Sequence, residues 1–359
     1  MATAQLSLEP TPPRDISSEL AHRRIPSLDG LRAISIAFVL IAHLGFQRFF
    51  TPDALIATTV NSLANFGVKI FFVLSGYLIT LLMLNEEKMT GGMDLGQFYI
   101  RRAFRILPAA IAFMVAIFIY NGSAISLQNK VLSFLFLENY AAPLDWHVGH
   151  LWSLGVEEQF YLLWPLLFIA WPRARKKALL LTMALVPIVN VVIIRLGWPY
   201  WNLAFYSVAD TIACGCLLAL LRQNRYLNQV LDNRFFFLVP VLTCLDAPLC
   251  LLKSGLFFGL CKSLILRPAL NIGIALSIEK AARTAPAILN KRPIVLIGAM
   301  SYSIYLWQQP FALSRTPLVP NFLLDLLFRI LLIGLLASAS YFLLEQPFLK
   351  TRRRLLRNN

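Results

Sequence analysis

A chain of 359 residues in which 58% are hydrophobic and 14% are charged is too apolar for a soluble domain, and its mean hydropathy of +0.66 indicates a polytopic membrane protein. The net charge of +15 does not indicate a nucleic-acid-binding protein, because the basic residues lie in separate loops between apolar segments and form no patch interleaved with aromatic residues. The five cysteines lie in or beside apolar segments without a C-x-x-C pair, which argues against a disulfide framework.

Apolar segments of spanning length set the expected fold, because a transmembrane helix needs about 17 to 25 mostly apolar residues. We predict an all-α integral membrane protein with about ten transmembrane helices. A shorter apolar stretch at 130–140 is too brief for a span and is interpreted as re-entrant or interfacial. The predicted spans are 31–48, 64–84, 104–122, 152–172, 177–195, 203–221, 235–252, 256–278, 293–314 and 322–348.

The loops between these segments differ in charge, since Lys and Arg concentrate in alternate loops, as they do on the cytoplasmic side of a membrane. This pattern predicts that both termini are cytoplasmic. The first 26 residues are polar and lack the apolar core and cleavage site of a signal peptide, which indicates a short tail. We therefore expect a tail at 1–26, one transmembrane domain at 27–348 and a basic cytoplasmic tail at 349–359.

Two strongly polar residues, Arg32 and His43, bracket an otherwise apolar run in the first predicted span. Their offset is about three helical turns, which places both side chains on one face, about 16 Å apart along the axis. An ionisable side chain deep in a bilayer costs on the order of 2.5 kcal/mol or more, and it normally faces a protein interior or an aqueous cavity. Both residues are therefore candidate functional residues.

The third predicted span begins with FYIRRAFRILP, which contains Arg101, Arg102 and Arg105. The i, i+3 spacing puts Arg102 and Arg105 on one helix face. This pair suits bidentate binding of a phosphorylated ligand. An anchor that contacts lipid headgroups at the cytoplasmic surface explains the same spacing.

Glu157 and Glu158 lie a few residues into the span that contains GHLWSLGVEEQF. Acidic residues at that depth require a partner such as a buried Arg, Lys or His, and adjacent helix positions diverge by about 100°, so one glutamate can face a site while the other packs elsewhere. Helix capping by Ser153 and a structural ion pair are the alternative. His147 and His150 have a spacing seen at metal sites, but no third ligand accompanies them in sequence, and we expect no metal.

Later spans carry further polar residues. Asp325 and Arg329 are four residues apart, and we predict that they form a self-compensating structural pair. Tyr302, Tyr305 and Gln308 interrupt the penultimate span and indicate either a lined cavity or, for the tyrosines, an interfacial belt.

Six motifs succeed one another along the chain. In order and spacing they resemble the membrane-bound acyltransferase 3 family, whose members O-acylate cell-surface polysaccharides, peptidoglycan, glucans and some antibiotics. The resemblance runs from about residue 24 to residue 350. The motifs are RIPSLDGLRAISIAFVLIAHL, FGVKIFFVLSGYLIT, FYIRRAFRILP, HLWSLGVEEQFYLLWP, SYSIYLWQQP and LEQPFLK.

The resemblance implies that an acyl group, usually acetyl, passes from cytoplasmic acyl-CoA to a hydroxyl of a cell-surface or lipid-linked carbohydrate, in the inner (plasma) membrane of a bacterium. The family's motif of a basic residue, ten residues and then His matches Arg32 and His43. Its R-x-x-R motif matches Arg102 and Arg105, and its S-L-x-x-E-E-Q-F-Y block matches 153–161.

Two positions depart from the family pattern. Gln308 stands where members often have His, which puts an acid or base role there in doubt. Lys69 stands where many members have Asp, which weakens the assignment of a carboxylate partner to that helix.

The expected chemistry is removal of the acceptor's hydroxyl proton during attack on a thioester, for which a neutral imidazole shielded from water is suited. We expect His43 to be the general base, with Glu158 or Glu157 orienting its ring or holding the acceptor. Direct transfer needs no protein nucleophile, and an acyl intermediate on His43 or Ser75 stays open. The residues expected to bind the phosphates of acyl-CoA are Arg32, Arg101, Arg102 and Arg105.

The expected partners are acyl-CoA, a carbohydrate or glycolipid acceptor and membrane lipids, with no nucleic acid. Some family members carry an extracytoplasmic hydrolase-like domain after the last span. The sequence reaches Asn359 without one, so we expect transfer to be completed by the membrane domain alone or with a separate extracytoplasmic protein. A secondary transporter or flippase for a lipid-linked sugar is the alternative function, because about ten spans with intramembrane charges would suit one.

Overall fold

The computed structural model describes residues 25–45, 54–197, 203–233, 236, 238–240, 243, 260–312 and 318–355. These residues form helices and connecting turns, and none of them lies in a β-strand. The all-α prediction is therefore confirmed for the described part of the chain. The predicted N-terminal tail lies almost wholly outside these ranges, as does most of the predicted span at 235–252, whereas the predicted C-terminal tail is described as far as residue 355.

The helices are numbered here in chain order. Two π-helical turns, Lys262–Leu266 and Ser340–Glu345, run directly into the helices that follow them, and 3₁₀ turns lie at Glu138–Tyr140 and Gln309–Phe311. The α-helices are α1 (Pro26–His43), α2 (Ala54–Thr90), α3 (Leu95–Asn121), α4 (Leu127–Phe134), α5 (Leu151–Ala170), α6 (Arg175–Arg195), α7 (Phe205–Leu221), α8 (Arg225–Asp232), α9 (Arg267–Thr284), α10 (Arg292–Gln308), α11 (Phe322–Ala339) and α12 (Gln346–Leu355).

Within the described ranges, five helical segments are long and apolar enough to cross a membrane, and a sixth qualifies if α7 and α8, bent by 105°, form one broken span. The count of about ten spans stays a prediction. Three consecutive polar residues, 157–159, lower the hydropathy of α5, and α7 and α10 have 17 residues each, at the lower end of the spanning range. The qualifying segments are Pro26–His43, Ser62–Thr90, Leu95–Asn121, Arg175–Ile193 and Phe322–Arg352.

The helix boundaries follow local sequence signals. Pro26 begins α1, where its missing N–H would have had no partner in any case. The Asp94 side chain caps α3 by accepting a hydrogen bond from the Gln97 backbone N–H. The turn between α2 and α3 contains Gly91, whose φ of +76° is readily adopted by glycine. These signals fix the point at which the Arg101–Arg105 segment enters the bundle.

Helix α2 lies at the centre of the bundle and packs extensively against α1 and α7. A Cβ added at Gly67 would collide with the Ser35 backbone of α1, and one at Gly76 would collide with the Ile212 carbonyl of α7. Small residues at these crossings let the backbones approach closely, as is common in membrane helix pairs. The Ser35 hydroxyl also donates a hydrogen bond to the Gly67 carbonyl, which ties α1 to α2.

Several buried charges are neutralised within the fold. Asp325 and Arg329 form the predicted pair on α11, with an Nε–Oδ2 distance of 2.8 Å. Glu279 on α9 is fully buried and accepts hydrogen bonds from Arg222, at 3.1 Å, and from Arg283, at 2.6 Å. A buried carboxylate held by two guanidinium groups is compensated, and we assign both clusters to structure.

The predicted short segment at 130–140 forms the end of α4 and a 3₁₀ turn. Glu138 in this turn is fully buried, and its Oε2 accepts a hydrogen bond of 3.0 Å from the Ser133 hydroxyl. Its Oε1 has no hydrogen-bond partner in the described part of the chain. Burial raises the pKa of Glu138 to about 7, against the smaller opposing effect of the Ser133 hydrogen bond.

Candidate active site

Three cavities follow one another between the two ends of the helix bundle. The arginine cavity, of about 710 Å³, lies where α2 ends and α3 begins. The central cavity, of about 100 Å³, shares Arg102 and Arg105 with it. The histidine cavity, of about 240 Å³, lies where α1 ends and α5 begins, and it shares Val68 and Tyr305 with the central cavity. Neighbouring cavities therefore have common walls, and the three form a series along the bundle.

The arginine cavity holds cations in two different states. The guanidinium of Arg101 forms an ion pair with Glu86 on α2. In contrast, neither Arg102 nor Arg105 forms an ion pair with any carboxylate of the described residues. The guanidinium of Arg102 lies over the ring of Tyr161, 4.6 Å from its centroid. Two cations without an ion-pair partner in a concave site favour an anionic ligand.

The central cavity joins charged and hydroxyl groups from five helices, α1, α2, α3, α5 and α10. Arg32 on α1 forms an ion pair of 3.1 Å with the buried Asp29. On α5, Glu157 accepts a hydrogen bond of 2.8 Å from the Ser75 hydroxyl and one of 3.3 Å from the Tyr161 hydroxyl. Glu157 is therefore held by two hydroxyl donors from α2 and α5.

The two adjacent glutamates have different surroundings, as the helix geometry requires. Glu157 lines the central cavity, whereas Glu158 lines none of the three cavities. The Oε1 atom of Glu158 is buried and has no hydrogen-bond partner among the described residues. The sequence slightly favoured Glu158 for the site, but in the structure it is Glu157 that faces the central cavity.

The histidine cavity is lined by two imidazoles. The Nδ1 atom of His43 lies 2.8 Å from the Oε1 atom of Gln308, which is fully buried at the end of α10. The Nε2 atom of His150 lies 3.1 Å from the Leu306 carbonyl, and its Nδ1 atom is buried with no partner in the described part of the chain. Tyr305, on the shared wall, donates a hydrogen bond of 2.9 Å to the His150 carbonyl.

The structure therefore separates the predicted residues into groups. Arg32, Arg102, Arg105 and Glu157 line one cavity, and Arg101 lies in the neighbouring one. His43 lies in the third cavity, and its hydrogen-bond partner is Gln308 rather than either glutamate. Sequence reasoning noted Gln308 as a departure from the family pattern but did not identify it as the partner of His43. Its only signal was an amide in an apolar helix.

The pair of histidines considered for a metal is divided. His147 lies 3.1 Å from Asp145 and 2.7 Å from Asn121, measured between side-chain atoms, while His150 points to the Leu306 carbonyl. Over the ranges that the structure describes, no three His, Cys, Asp or Glu side chains form a group able to hold a metal ion.

All but one of the residues that line these cavities fall within the range matched by a known protein family. A family model described as an acyltransferase domain matches residues 25–345. That range contains all the residues that line the three cavities except Arg352 of the arginine cavity.

Curated relatives are longer than this chain. A peptidoglycan O-acetyltransferase of Listeria monocytogenes is 27% identical over 93% of this chain and 57% of its own length. An O-acetyltransferase of Staphylococcus aureus is 25% identical over 91% of this chain and 58% of its own length. The chain thus spans a little over half the length of these relatives. No solved structure matches the chain.

Proposed function

The chain belongs to the acyltransferase family that matches residues 25–345, and we propose that it is a membrane-bound O-acyltransferase that uses acyl-CoA to acylate a carbohydrate. The acceptor class follows the names of the relatives, which are O-acetyltransferases and, for the Listeria protein, a peptidoglycan O-acetyltransferase. The acyl group is acetyl or a similar short group, and the acceptor is a hydroxyl of a cell-surface or lipid-linked carbohydrate. The site of action is the plasma membrane of a bacterium.

The observation that carries this proposal is the series of cavities: at one end lie two cations, Arg102 and Arg105, without an ion-pair partner among the described residues, and at the other end lies an imidazole. A CoA thioester carries several phosphate charges at one end of the molecule and the reactive acyl group at the other. Arg102 and Arg105 would bind the phosphates, with Arg101 and Arg32 adding positive potential on either side. The pantetheine arm would then extend into the central cavity and bring the thioester to the wall formed by Val68 and Tyr305.

The acceptor would enter from the opposite end and occupy the histidine cavity. Asp145 and Trp146 line this cavity together with His43. Aromatic faces and polar side chains together suit a sugar ring, whose apolar face packs on the aromatic group while its hydroxyls are hydrogen-bonded. Donor and acceptor would meet at Val68 and Tyr305, so neither substrate would need to cross the whole bilayer.

Transfer in this arrangement proceeds by direct attack. His43 takes the proton of the acceptor hydroxyl as the hydroxyl oxygen forms a bond to the acyl carbonyl carbon. The carbon–sulfur bond then breaks, the acyl group remains on the acceptor oxygen, and the proton passes from His43 to the departing CoA sulfur. Glu157, which accepts hydrogen bonds from Ser75 and Tyr161, would order the polar wall along which the thioester lies.

The experiment that tests this function compares His43→Ala and His43→Gln with the wild-type protein, purified in detergent. The donor is acetyl-CoA, and the acceptor probe is a soluble disaccharide fragment of peptidoglycan. Initial rates of CoA thiol release and of acetylated saccharide are measured together. Loss of a general base lowers the rate by about 10²- to 10⁴-fold, and both variants should show a loss in this range.

His147→Gln is the matched control, because His147 lines none of the three cavities and is bound by Asp145 and Asn121. This variant should keep wild-type rates. If His43→Gln retained most of the activity, His43 would not be the base. If the wild-type protein bound the saccharide but released no CoA from acetyl-CoA, a transporter or flippase would replace the acyltransferase assignment.

A further inference from the structure

A chain of hydrogen bonds connects His43 to a backbone carbonyl through two adjacent glutamines. The Nδ1 atom of His43 lies 2.8 Å from Oε1 of Gln308. Gln308 donates a hydrogen bond of 3.2 Å from its Nε2 atom to Oε1 of Gln309, and Gln309 donates one of 3.1 Å from its own Nε2 atom to the Trp146 carbonyl. Both glutamines are buried, Gln308 fully.

The Trp146 carbonyl fixes the direction of every bond in this chain, because a carbonyl oxygen can only accept. The atom of Gln309 that faces it must be the amide nitrogen, so the oxygen of Gln309 faces Gln308. That oxygen again can only accept, so Gln308 must present its own nitrogen there and its oxygen to His43. The nitrogen of His43 that faces this oxygen must then carry the proton.

We infer that Gln308 and Gln309 act as positioning residues that hold neutral His43 in the tautomer protonated at Nδ1, which leaves the Nε2 lone pair free. In a neutral imidazole, the hydrogen bond made by one nitrogen decides which nitrogen is protonated. The Nε2 atom of His43 has no hydrogen-bond partner among the described residues, and the residue lines the histidine cavity.

The inference deepens the proposed function and rests on it for its catalytic meaning. A general base must present an unprotonated nitrogen to the acceptor hydroxyl, and in this site that nitrogen is Nε2. The opposite tautomer would present an N–H there and could not take the proton. Gln308, which stands where family members often have His, therefore has a role here that does not require its side chain to gain or lose a proton.

The test is the tautomer itself, read by nitrogen NMR on the full-length protein labelled with ¹⁵N-histidine in detergent micelles. The chain has four histidines, so the signals of His43 are identified by their absence in His43→Gln. In the wild-type protein above neutral pH, we expect Nδ1 to carry the proton and Nε2 to be unprotonated. A wild-type spectrum with the proton on Nε2 overturns the inference, whatever any variant does.

Two variants test the glutamine relay, which is the chain of hydrogen bonds from His43 through Gln308 and Gln309 to the Trp146 carbonyl. Gln308→Met keeps the length of the side chain but removes the acceptor, and the proton should redistribute toward Nε2. Gln309→Met is the sharper variant because Gln309 does not hydrogen-bond His43. The substitution removes the acceptor of the Gln308 amide nitrogen, so the Gln308 amide group is free to rotate by 180°. The population of His43 protonated at Nδ1 should therefore fall. A Gln309→Met protein with an unchanged, fully Nδ1-protonated His43 would refute the relay.

Trp307→Phe is the matched control in the same helical turn, because its indole nitrogen has no partner in the described part of the chain and its ring packs on Phe113, 5.4 Å away between centroids. It should leave the His43 spectrum unchanged.

Kinetics separate the relay from the proposed function. With acetyl-CoA and the peptidoglycan disaccharide, Gln308→Met should lower kcat about 10-fold, the effect of losing one hydrogen bond, with little change in either KM. If the tautomer shifts as expected but His43 variants remain active, the relay stands and the general-base assignment fails. An unchanged kcat in a Gln308→Met protein whose tautomer has shifted overturns the catalytic meaning of the relay.

Discussion

Removing a single arginine from the boundary between the arginine and central cavities should weaken donor binding by a predictable amount. Arg102 and Arg105 line both cavities, and neither is paired with a described carboxylate. A charge-assisted hydrogen bond contributes about 1.5 to 3 kcal/mol. Because 1.4 kcal/mol corresponds to tenfold in affinity, Arg102→Ala or Arg105→Ala should raise the Kd for acetyl-CoA by about 10- to 150-fold.

The third arginine of the segment provides the matched comparison. Arg101 is engaged by Glu86 and does not line the central cavity. The double variant Arg101→Gln, Glu86→Gln removes this ion pair without leaving a lone charge. Partly exposed pairs contribute about 0 to 1 kcal/mol, so the Kd for acetyl-CoA should change by less than about fivefold. Arg102→Lys should fall between the two cases, because Lys keeps the charge but loses the planar fork.

The assay is equilibrium binding of radiolabelled acetyl-CoA to the purified protein in the absence of acceptor, with initial rates measured in parallel. The KM for acetyl-CoA should rise with the Kd, whereas the acceptor KM should stay close to wild type. Thermal unfolding of each variant checks that it is folded. If folded Arg102→Ala and Arg105→Ala proteins bound acetyl-CoA like wild type, both arginines would be reassigned to lipid anchoring.

Three further outcomes test the fold. Because the pKa of Glu138 is raised to about 7, the folded protein binds this proton more tightly than the unfolded chain, so stability falls as pH rises from about 4.5 to about 7. Glu138→Gln should therefore raise the Tm at pH 8 and change it little at pH 4.5; an equal effect at both values would contradict this. Gly76→Ala should destabilise the α2–α7 crossing by about 1 to 3 kcal/mol, whereas Gly92→Ala, which has open space around it, should be near neutral in thermal unfolding. A cysteine introduced at Gly92 in a cysteine-free background should be shielded from an impermeant thiol reagent in intact cells, and labelling there would reverse the predicted orientation.

Local features were predictable because they depend on neighbours in sequence. The Asp325–Arg329 pair follows from an i, i+4 spacing, and its observed distance is 2.8 Å. Likewise, the i, i+3 spacing of Arg102 and Arg105 puts both in the same two cavities. The helical nature of the described spans follows from apolar length alone.

Contacts between distant helices were not predictable in the same way. His43 and Gln308 are separated by 265 positions, and their contact depends on how far α1 and α10 slide and rotate against each other. A single sequence contains no measure of that register. The same reason explains why the sequence left open whether a glutamate orients the His43 ring or holds the acceptor, whereas the structure shows that Glu157 contacts Ser75 and Tyr161 in the next cavity.

The cationic end and the imidazole end of the candidate site lie in different cavities. In the proposed arrangement, a CoA phosphate bound near Arg102 lies in a different cavity from the His43 imidazole, so the thioester would reach His43 through the central cavity. An extended, flexible arm such as pantetheine suits such a passage. The fold would therefore keep the nucleotide at the arginine cavity and the carbohydrate at the histidine cavity. The general base would then have to lie beside the carbohydrate hydroxyl, and His43 lines that cavity.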